Sequence, residues 1–368
     1  MVLLDIQHIL DSWTPKDIAW ERDNVGLQIG SVHQRVRKIL VTLDVTDAVI
    51  NEARRKNVDV IISHHPLIFH PVKAINSNDR VGRLLSELIK SNIALYILHT
   101  NLDFTYNGIS FSLAERLGLH NVEVLHQHYQ IHKKIVVYVP EEYAEKLIAG
   151  MSEAGAGIIG KYEYCSFRSK GVGTFKPGQG AKPFIGTIDR LETADEVRLE
   201  MIVPTWNLQK VLLAMRAAHP YEEVAYDIYN LANVSKSYGA GAIGELQKPM
   251  SLKSFLAHVK RRLRVLVIRY GANPRQRIKR VAVCGGSGSD LLPIAIQRGA
   301  DAFVTADITY HKFQDSDGNI ALIDAEHFET EHPALQRIVK YVQDQCAARK
   351  EKIQVFASTV TSNFVQYS

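Results

Sequence analysis

The alternation of short apolar runs with helix-length amphipathic stretches most constrains the fold of this chain. Near its start, the apolar runs KILVTLD (38–44), VDVIISHH (58–65) and IALYILHTNLD (93–103) are separated by amphipathic stretches near 46–56 and 79–91. Continuous Val, Ile and Leu runs, rather than polar–apolar alternation, indicate strands that are covered on both faces. The pattern therefore predicts βαβαβ units in a parallel sheet flanked by helices.

A similar pattern returns after residue 235. The runs IKRVAVCGGSGS (278–289), DAFVTAD (301–307) and NIALIDAEHFETE (319–331) predict strands, with helices near 290–299 and up to about 347. The length of 368 residues also favours two domains. We therefore expect an α/β fold whose outer domain is discontinuous, with two similar halves of mostly parallel strands, residues 1–128 and 235–368.

Residues 131–231 are expected to form an inserted domain. Two strand-to-helix units are visible, KIVVYVPEEYAEKLIAGMSEAG and EVRLEMIVPTWNLQKVLLAMRAAHP, and a glycine-rich passage at 171–186 is interpreted as a long turn. The order is roughly β-α-β-β-β-α-β, which is a ferredoxin-like α+β pattern. The sequence KSYGAGAIGEL (236–246) is interpreted as the return linker, because glycines permit tight turns.

Composition narrows the class of protein. Lys plus Arg number 44 against 39 Asp plus Glu, an excess too small to predict a dedicated nucleic-acid binder. The three cysteines, Cys165, Cys284 and Cys346, are far apart, so neither a disulfide framework nor a thiolate zinc site is indicated. No apolar run approaches the length of a membrane span, and no signal peptide is visible. We expect a cytoplasmic protein without a membrane association.

Polar residues follow almost every predicted strand of the outer domain. In open α/β sheets, ligands bind beyond the carboxyl ends of the strands, so these residues are expected to share one rim. They are Asp44, His64 with His65, Asp103, the GGSG turn at 285–288, Thr305 with Asp307, and Asp324 with His327.

Five of the polar residues at this rim suggest a metal site. The adjacent His64 and His65 diverge and suit two neighbouring ions, Asp103 supplies a carboxylate, and His327 and Glu331 are spaced to share one helix face. Imidazole with carboxylate suits Zn, Fe, Mn, Ni or Co. Each fragment also has a structural interpretation, as a strand end, a surface helix pair or a turn.

The motifs SHHPLIF, HTNLD, CGGSGSD, TADITYH, DAEHFETE and DNVGLQIG resemble the Nif-three-like family, also labelled GTP cyclohydrolase I type 2 homologs. The resemblance covers both outer segments. It implies that His64, His65, Asp103, His327 and Glu331 are the ligands of a dinuclear centre holding two divalent ions, Zn, Fe or Mn. It also implies an inserted domain that resembles PII and CutA proteins, and a toroidal homohexamer.

Two functional hypotheses follow. The leading one is a metal-dependent hydrolase acting on a nucleotide-like or cyclic amide substrate, in which water bound to the ions is the nucleophile. His99 and His311 are candidates to orient the ligands or to shuttle protons. The alternative is a non-catalytic metal-binding regulatory or scaffold protein, in which the PII-like domain senses a small molecule.

Three other features leave alternatives open. The glycine turn at 285–288 could hold an anion or serve as a tight strand-to-helix turn. Tyr221, Tyr226 and Tyr229 could stack on a ligand or pack in a sheet. The basic stretch 258–280 could contact nucleic acid, although a solvated helix face is the ordinary explanation.

Overall fold

The protein has a mixed α/β fold with several sheets, and its chain forms two compact units. In the computed structural model, residues 1–129, 131–272 and 276–368 are described. The first unit contains residues 1–127 and 236–368, and the second contains residues 128–235. Part of the basic stretch 258–280, namely residues 273–275, lies outside the described residues.

The strands in the described part of the chain are β1 (Gly26–Ile29), β2 (Lys38–Thr42), β3 (Val60–Ser63), β4 (Ala94–Ile97), β5 (His120–Tyr129), β6 (His132–Val139), β7 (Ser166–Phe175), β8 (Glu192–Pro204), β9 (Tyr226–Asn230), β10 (Val234–Ser251), β11 (Arg269–Gly271), β12 (Arg277–Val283), β13 (Ala302–Thr305), β14 (Ala321–Asp324) and β15 (Gln354–Ala357). The α-helices in the same residues are α1 (Leu3–Trp13), α2 (Asp47–Lys56), α3 (Arg80–Lys90), α4 (Thr100–Asp103), α5 (Ile109–Arg116), α6 (Ala144–Glu153), α7 (Leu208–Ala218), α8 (Leu252–Leu263), α9 (Leu292–Gln297), α10 (Tyr310–Asp315), α11 (His327–Glu331) and α12 (Ala334–Ala348).

The first sheet of the first unit has the strand order β1-β4-β3-β2-β15. Its strands β4, β3, β2 and β15 run parallel, and β1 joins antiparallel. Ile39 and Ile62 face a core shared with α1 and α12, whereas Leu40 and Ile61 face a core shared with α2 and α3. Helices on both faces explain why these strands are continuously apolar.

Local sequence sets the ends of the connecting helices. Helix α2 begins where the Thr46 side chain accepts a hydrogen bond from the backbone N–H of Val49 at 3.2 Å, and it ends at Asn57 with φ of 53°. Asp79 caps α3 in the same way, through the N–H of Gly82 at 2.7 Å. Such side-chain caps replace the hydrogen bonds that a helix start lacks. The predicted helices near 46–56 and 79–91 are confirmed.

The second sheet of this unit has the order β11-β14-β13-β12-β10-β5. Strands β12, β13 and β14 run parallel, while β10 pairs antiparallel with β12. The prediction that 236–246 is a linker is wrong, because this sequence lies within β10. Its glycines allow a close approach instead: a Cβ at Gly239 would come within 2.2 Å of the carbonyl oxygen of His126.

The second unit contains one antiparallel sheet of order β7-β8-β6-β9 with helices α6 and α7. Both helices contribute to a core of their own with one face of β6 and β8, through residues such as Leu147, Val211 and Leu199. Within residues 131–231 the order is β-α-β-β-α-β, so the prediction of three strands between the helices is wrong. The glycine-rich passage is divided: 171–175 completes β7, and 176–191 is an irregular loop.

The described helices include none with both the length and the apolar character that a membrane crossing requires.

Candidate metal centre

The positions of His64 and His65 follow from the end of β3. Beyond Ser63, the backbone N–H groups of His64 and His65 donate to the carbonyl oxygens of Thr42 and Leu43, at 3.0 and 2.8 Å. The pairing with the neighbouring strand β2 thus continues past the formal end of β3. As a result the histidine backbone is fixed by the sheet, and the two rings lie side by side with their centroids 4.9 Å apart.

The end of β4 contributes the next donors. His99 precedes the single turn α4, which ends at Asp103. Buried Asp23 holds His99, because both of its carboxylate oxygens lie 2.9 Å from His99 Nδ1. Burial opposes ionisation of Asp23, but hydrogen bonds from His99 and Thr100 outweigh burial and lower its pKa to about 2. Asp23 therefore stays ionised at neutral pH and keeps the His99 ring in place.

The second sheet supplies His327 and Glu331. Both lie on the short helix α11, which starts after β14 through Glu326, whose φ is 66°. Asp307, which follows β13 with φ of 55°, lies 2.6 Å from His327 Nδ1. The rim predicted from the sequence is therefore assembled from the strand ends of two separate sheets rather than one.

The glycine turn at 285–288 packs directly against these donors. Gly286 has φ of +62°, and a Cβ there would come within 2.3 Å of Glu331 Oε1 and 3.1 Å of His327 Nε2. The N–H groups of Gly286 and Gly288 donate to the hydroxyls of Thr330 and Thr305, at 3.0 and 2.9 Å. The backbone N–H groups of both glycines are thus already hydrogen-bonded to side chains of the protein. This favours the interpretation of 285–288 as a tight turn over its interpretation as an anion site.

Donor atoms from both sheets meet around the Glu331 carboxylate. Oε1 lies 3.0 Å from His327 Nε2 and 3.5 Å from His64 Nε2, and Oε2 lies 3.1 Å from His65 Nε2. His65 Nε2 and His327 Nε2 are 3.2 Å apart, and Asp103 Oδ1 is 3.7 Å from His64 Nε2. Two ligand atoms on one tetrahedral zinc ion are about 3.3–3.4 Å apart. The observed spacings are close to that value.

Each imidazole is oriented by a hydrogen bond at Nδ1, its outer nitrogen, while Nε2, its inner nitrogen, faces the cluster. His64 Nδ1 lies 2.6 Å from the carbonyl oxygen of Leu98, and His65 Nδ1 lies 2.9 Å from a carboxylate oxygen of Asp44. His327 Nδ1 faces Asp307 in the same manner. Because these partners only accept hydrogen bonds, each Nδ1 carries the proton. In a neutral ring the inner Nε2 then presents a lone pair, which is the arrangement of metal-ligating histidines.

Three buried atoms of the cluster make no hydrogen bond of acceptable geometry among the described residues: His64 Nε2, Asp103 Oδ1 and Glu331 Oε2, the last despite its distance of 3.1 Å from His65 Nε2. An unsatisfied buried polar atom costs about 1–3 kcal/mol, so three together require an explanation. A cation between them would satisfy all three at once. The donor set therefore fits a divalent metal ion.

The electrostatics of the cluster also favour positive charge. Burial alone would lower the pKa of His65 and His327, but the Asp44, Asp307 and Glu331 carboxylates outweigh burial and raise these values to about 10 and about 11. Burial would raise the pKa of Glu331, yet the surrounding histidines hold it well below its usual value. Such a cluster stabilises cations strongly, whether they are protons or metal ions.

The structure brings all five predicted ligands together and adds His99. Ring nitrogens of His64, His65 and His99 lie within 4.8 Å of one another, and so do the donor atoms of His65, His327 and Glu331. From the sequence, His99 was expected only to orient ligands or to shuttle protons. Its place beside Asp103 in HTNLD is the signal that could have marked it as a donor.

His311 lies apart from these donors. It is exposed on α10, with its ring 5.6 Å from that of Tyr310. None of the hydrogen bonds found within the cluster, as far as the chain is described, involves His311.

Comparisons with known proteins agree on the family. The model of the Duf34/NIF3 family (NGG1p interacting factor 3) matches residues 1–364. A Bacillus subtilis protein called a GTP cyclohydrolase 1 type 2 homolog is 40% identical over 360 residues, which cover 97% of this chain and 96% of that protein. A Staphylococcus aureus protein with the same name is 35% identical over the full length of both chains.

Solved structures agree as well. The crystal structure of a Bacillus cereus protein related to NIF3 is 39% identical and matches with a TM-score of 0.86, covering 100% of this chain and 99% of the other. A Staphylococcus aureus protein matches with a TM-score of 0.81 at 32% identity and with the same coverage. The chain therefore belongs to the DUF34/NIF3 family.

Proposed function

We propose that His64, His65, Asp103, His327 and Glu331 hold two divalent metal ions and that the protein is a metal-dependent hydrolase. One observation carries the proposal. The inner nitrogens of three oriented histidines converge on two carboxylates, and three of these buried donor atoms make no hydrogen bond of acceptable geometry in the described chain. If these side chains served only to stabilise the fold, their buried polar atoms would be hydrogen-bonded to one another.

Glu331 would help to hold both ions, because its two oxygens contact all three histidines, with Oε1 near His64 and His327 and Oε2 near His65. Asp103, which lies on the His64 side, would help to hold one ion, and His65 and His327 would help to hold the other. The mixture of imidazole and carboxylate suits Zn, Fe or Mn better than a hard oxygen-only ion.

When bound, such ions would lower the pKa of a coordinated water and polarise the atom that is attacked. The residues of the chain then position the reactants. Asp44 and Asp307 fix the rings of His65 and His327, and Asp23 fixes His99. A ring nitrogen of His99 lies within 4.8 Å of ring nitrogens of His64 and His65, so we assign His99 the role of holding or passing a proton.

We infer a substrate with a hydrolysable cyclic amide or amidine in a nucleotide-like ring. The name that the relatives carry, GTP cyclohydrolase 1 type 2 homolog, supports this class. The first unit, residues 1–127 and 236–368, would be the catalytic domain. Residues 131–231 would form an inserted ferredoxin-like domain that resembles PII and CutA proteins. The toroidal homohexamer stays a prediction from the resemblance, and the cytoplasmic location stays a prediction from the composition.

The alternative function is a metal-binding regulatory or scaffold protein without turnover. The observation that favours it is the second unit, which has its own core and its own large cavity. In that case the metal ions would serve structure, storage or delivery, and the second unit would sense a small molecule.

Metal content tests the centre directly. The wild-type protein, purified without added metal and then equilibrated with Zn²⁺, Fe²⁺ or Mn²⁺, is measured by elemental analysis beside His64→Ala and Glu331→Ala. We expect about two ions per wild-type chain, and a large loss in both variants. The control is His311→Ala, which removes an exposed histidine outside the cluster. Wild-type protein that takes up none of these metals would overturn the centre.

Turnover then separates the two functions. The metal-loaded protein is incubated with purine and pyrimidine nucleotides, and ring-opened or dephosphorylated products are followed by liquid chromatography. Metal-dependent product formation that disappears in His64→Ala supports the hydrolase. Full metal occupancy with no conversion of any nucleotide would contradict the proposed substrate class and favour the regulatory alternative.

A further inference from the structure

The second unit contains a cavity of about 660 Å³ that lies away from its hydrophobic core. One wall is a face of the sheet, with Gly171 on β7 and Glu196 on β8, and the other wall is the loop that follows β7. The opposite face of the same sheet packs against α6 and α7. The volume falls within the range of about 300–1,000 Å³ that is typical of small-molecule sites.

The loop wall of the cavity is held in place by hydrogen bonds. The backbone N–H of Lys182 donates to the Glu222 carboxylate at 2.7 Å, which ties the loop to the segment before β9. Asp189 closes the loop on itself, since its N–H donates to the carbonyl oxygen of Pro177 at 2.9 Å and its carboxylate accepts from Gln179 at 2.8 Å. A ligand would therefore enter a formed cavity rather than order a free loop.

The charges in the cavity are unevenly compensated. Its three basic side chains, Lys170, Lys176 and Arg198, each lie within ion-pair distance of an acid outside the lining, namely Glu141, Asp189 and Glu200, respectively, and Glu200 is shared with Lys134. The three acids of the lining, Glu196, Glu222 and Glu223, have no lysine or arginine side chain within ion-pair distance in the described chain, and Glu222 accepts the backbone N–H of Lys182. Glu196 is half-buried, whereas Glu222 and Glu223 are exposed, so Glu196 is the carboxylate that can accept from a cationic or hydrogen-bond-donating ligand inside the cavity.

Aromatic rings form the apolar part of the lining. Tyr221 has its ring 6.0 Å from Phe184 and 6.4 Å from Phe175. The Tyr221 hydroxyl is buried and lies beside the Glu196 carboxylate. Burial and the charge of nearby Glu196 raise the pKa of Tyr221 to about 12, so its hydroxyl stays protonated. Tyr226 and Tyr229 belong to β9 and are absent from the described lining.

We propose that this cavity binds a planar organic cation or a heteroaromatic amine, with its ring against Phe184 and Tyr221 and its N–H groups donating to Glu196. Aromatic faces attract cations, and a carboxylate selects N–H donors in the plane of the ring. The site is independent of the proposed metal chemistry.

Benzamidine and its neutral analogue benzamide test the proposal, because they share one shape and differ in charge. Binding to the full-length protein is measured by isothermal titration calorimetry. We expect benzamidine to bind at one site per chain in the millimolar range or better, and at least about tenfold more tightly than benzamide. Glu196→Gln keeps the shape of the site and should remove this preference.

A second variant fills the cavity without touching its charge. A Cβ at Gly171 meets no atom within 4 Å, and valine suits a strand, so Gly171→Val should fold and block binding. Ser166→Val, on the same strand but outside the lining, is the matched control and should bind as wild type. Equal binding of benzamide and benzamidine, unchanged binding in Glu196→Gln, or no benzamidine binding would each overturn the proposal.

Discussion

Single residues outside the ligand set decide how well the histidines can bind. His327 points its inner nitrogen at Glu331 only because Asp307 holds its outer nitrogen, at 2.6 Å. Removal of such a partner typically costs about 10–100-fold in metal affinity. We expect Asp307→Ala to lose affinity within this range and Asp307→Asn, which keeps an acceptor, to lose less. Competition with a coloured chelator measures both.

The control for this experiment is Asp317→Ala, which removes an exposed carboxylate a short distance further along the chain. It should leave metal affinity unchanged. If Asp307→Ala binds metal as tightly as the wild type, then the orientation of His327 does not depend on this contact.

Gly286 should be as important to the centre as a ligand. Alanine there would meet Glu331 Oε1 at 2.3 Å, on a backbone with φ of +62°. Gly318 has a similar φ of +70°, but nothing lies within 4 Å of its Cβ position. Both alanine variants therefore carry the same backbone penalty, of about 1–2 kcal/mol. We expect only Gly286→Ala to lose metal as well, measured by elemental analysis beside thermal melting.

The sequence predicted which side chains come together at this scale, because each of them follows directly from a strand end or a helical spacing. His64 and His65 end a buried run, and the His327–Glu331 spacing places both side chains on one face of α11. The contacts of Asp23 and Asp307 could not be predicted. They bring together residues such as Asp23 and His99, which are 76 positions apart, and only the folded chain sets such distances.

At the scale of elements, the segment after β15 is fastened to helix α2 through one buried carboxylate. Glu52, on α2, is 1% exposed and accepts hydrogen bonds from Ser358 and Thr359 as well as from Lys56. Burial would raise the pKa of Glu52, but these donors outweigh burial and lower it to about 2. The folded state therefore stabilises the ionised form of the Glu52 carboxyl group.

This contact predicts a pH dependence of stability. Because the folded pKa of about 2 lies below the unfolded value of 4.5, the contribution is complete above pH 4.5 and is lost as the pH falls towards 2. We expect Glu52→Gln to lose about 1–3 kcal/mol at neutral pH, and the difference from wild type to shrink in acid. Urea unfolding of chelator-treated protein measures this, with Glu21→Gln, at an exposed position, as the control. A difference that is constant with pH would contradict the account.

Elements of the first unit could be predicted where the chain is apolar and capped, and less well where glycine dominates. The strands at 38–42, 60–63 and 94–97 were recognised from continuous Val, Ile and Leu runs. Sequence 236–246 was taken for a linker, whereas it forms part of β10. Glycine usually weakens a strand, but here the close approach of β5 requires it. That requirement arises from the partner strand and is invisible in the local sequence.

At the scale of the whole molecule, the residues of the candidate centre come from two separate segments of the chain that form one unit. His64, His65 and Asp103 precede the second unit in the chain, whereas His327 and Glu331 follow it. Neither segment holds a complete donor set, so folding must first bring residues 1–127 and 236–368 together. The chain leaves this unit on β5 and returns on β10, which are neighbouring strands of one sheet. The departure and return points are therefore adjacent within the first unit itself.

This adjacency predicts that the second unit can be removed. Replacement of residues 131–231 by a short Gly/Ser linker deletes a core made only of residues between 135 and 226 and leaves the cores of the first unit intact. Long surface insertions add little loop-closure cost, so their removal should change stability only modestly. We expect the shortened chain to unfold cooperatively and to bind about the same number of metal ions as the full chain, measured by circular dichroism and elemental analysis. A shortened chain that folds but binds no metal would mean that the donor set depends on the second unit.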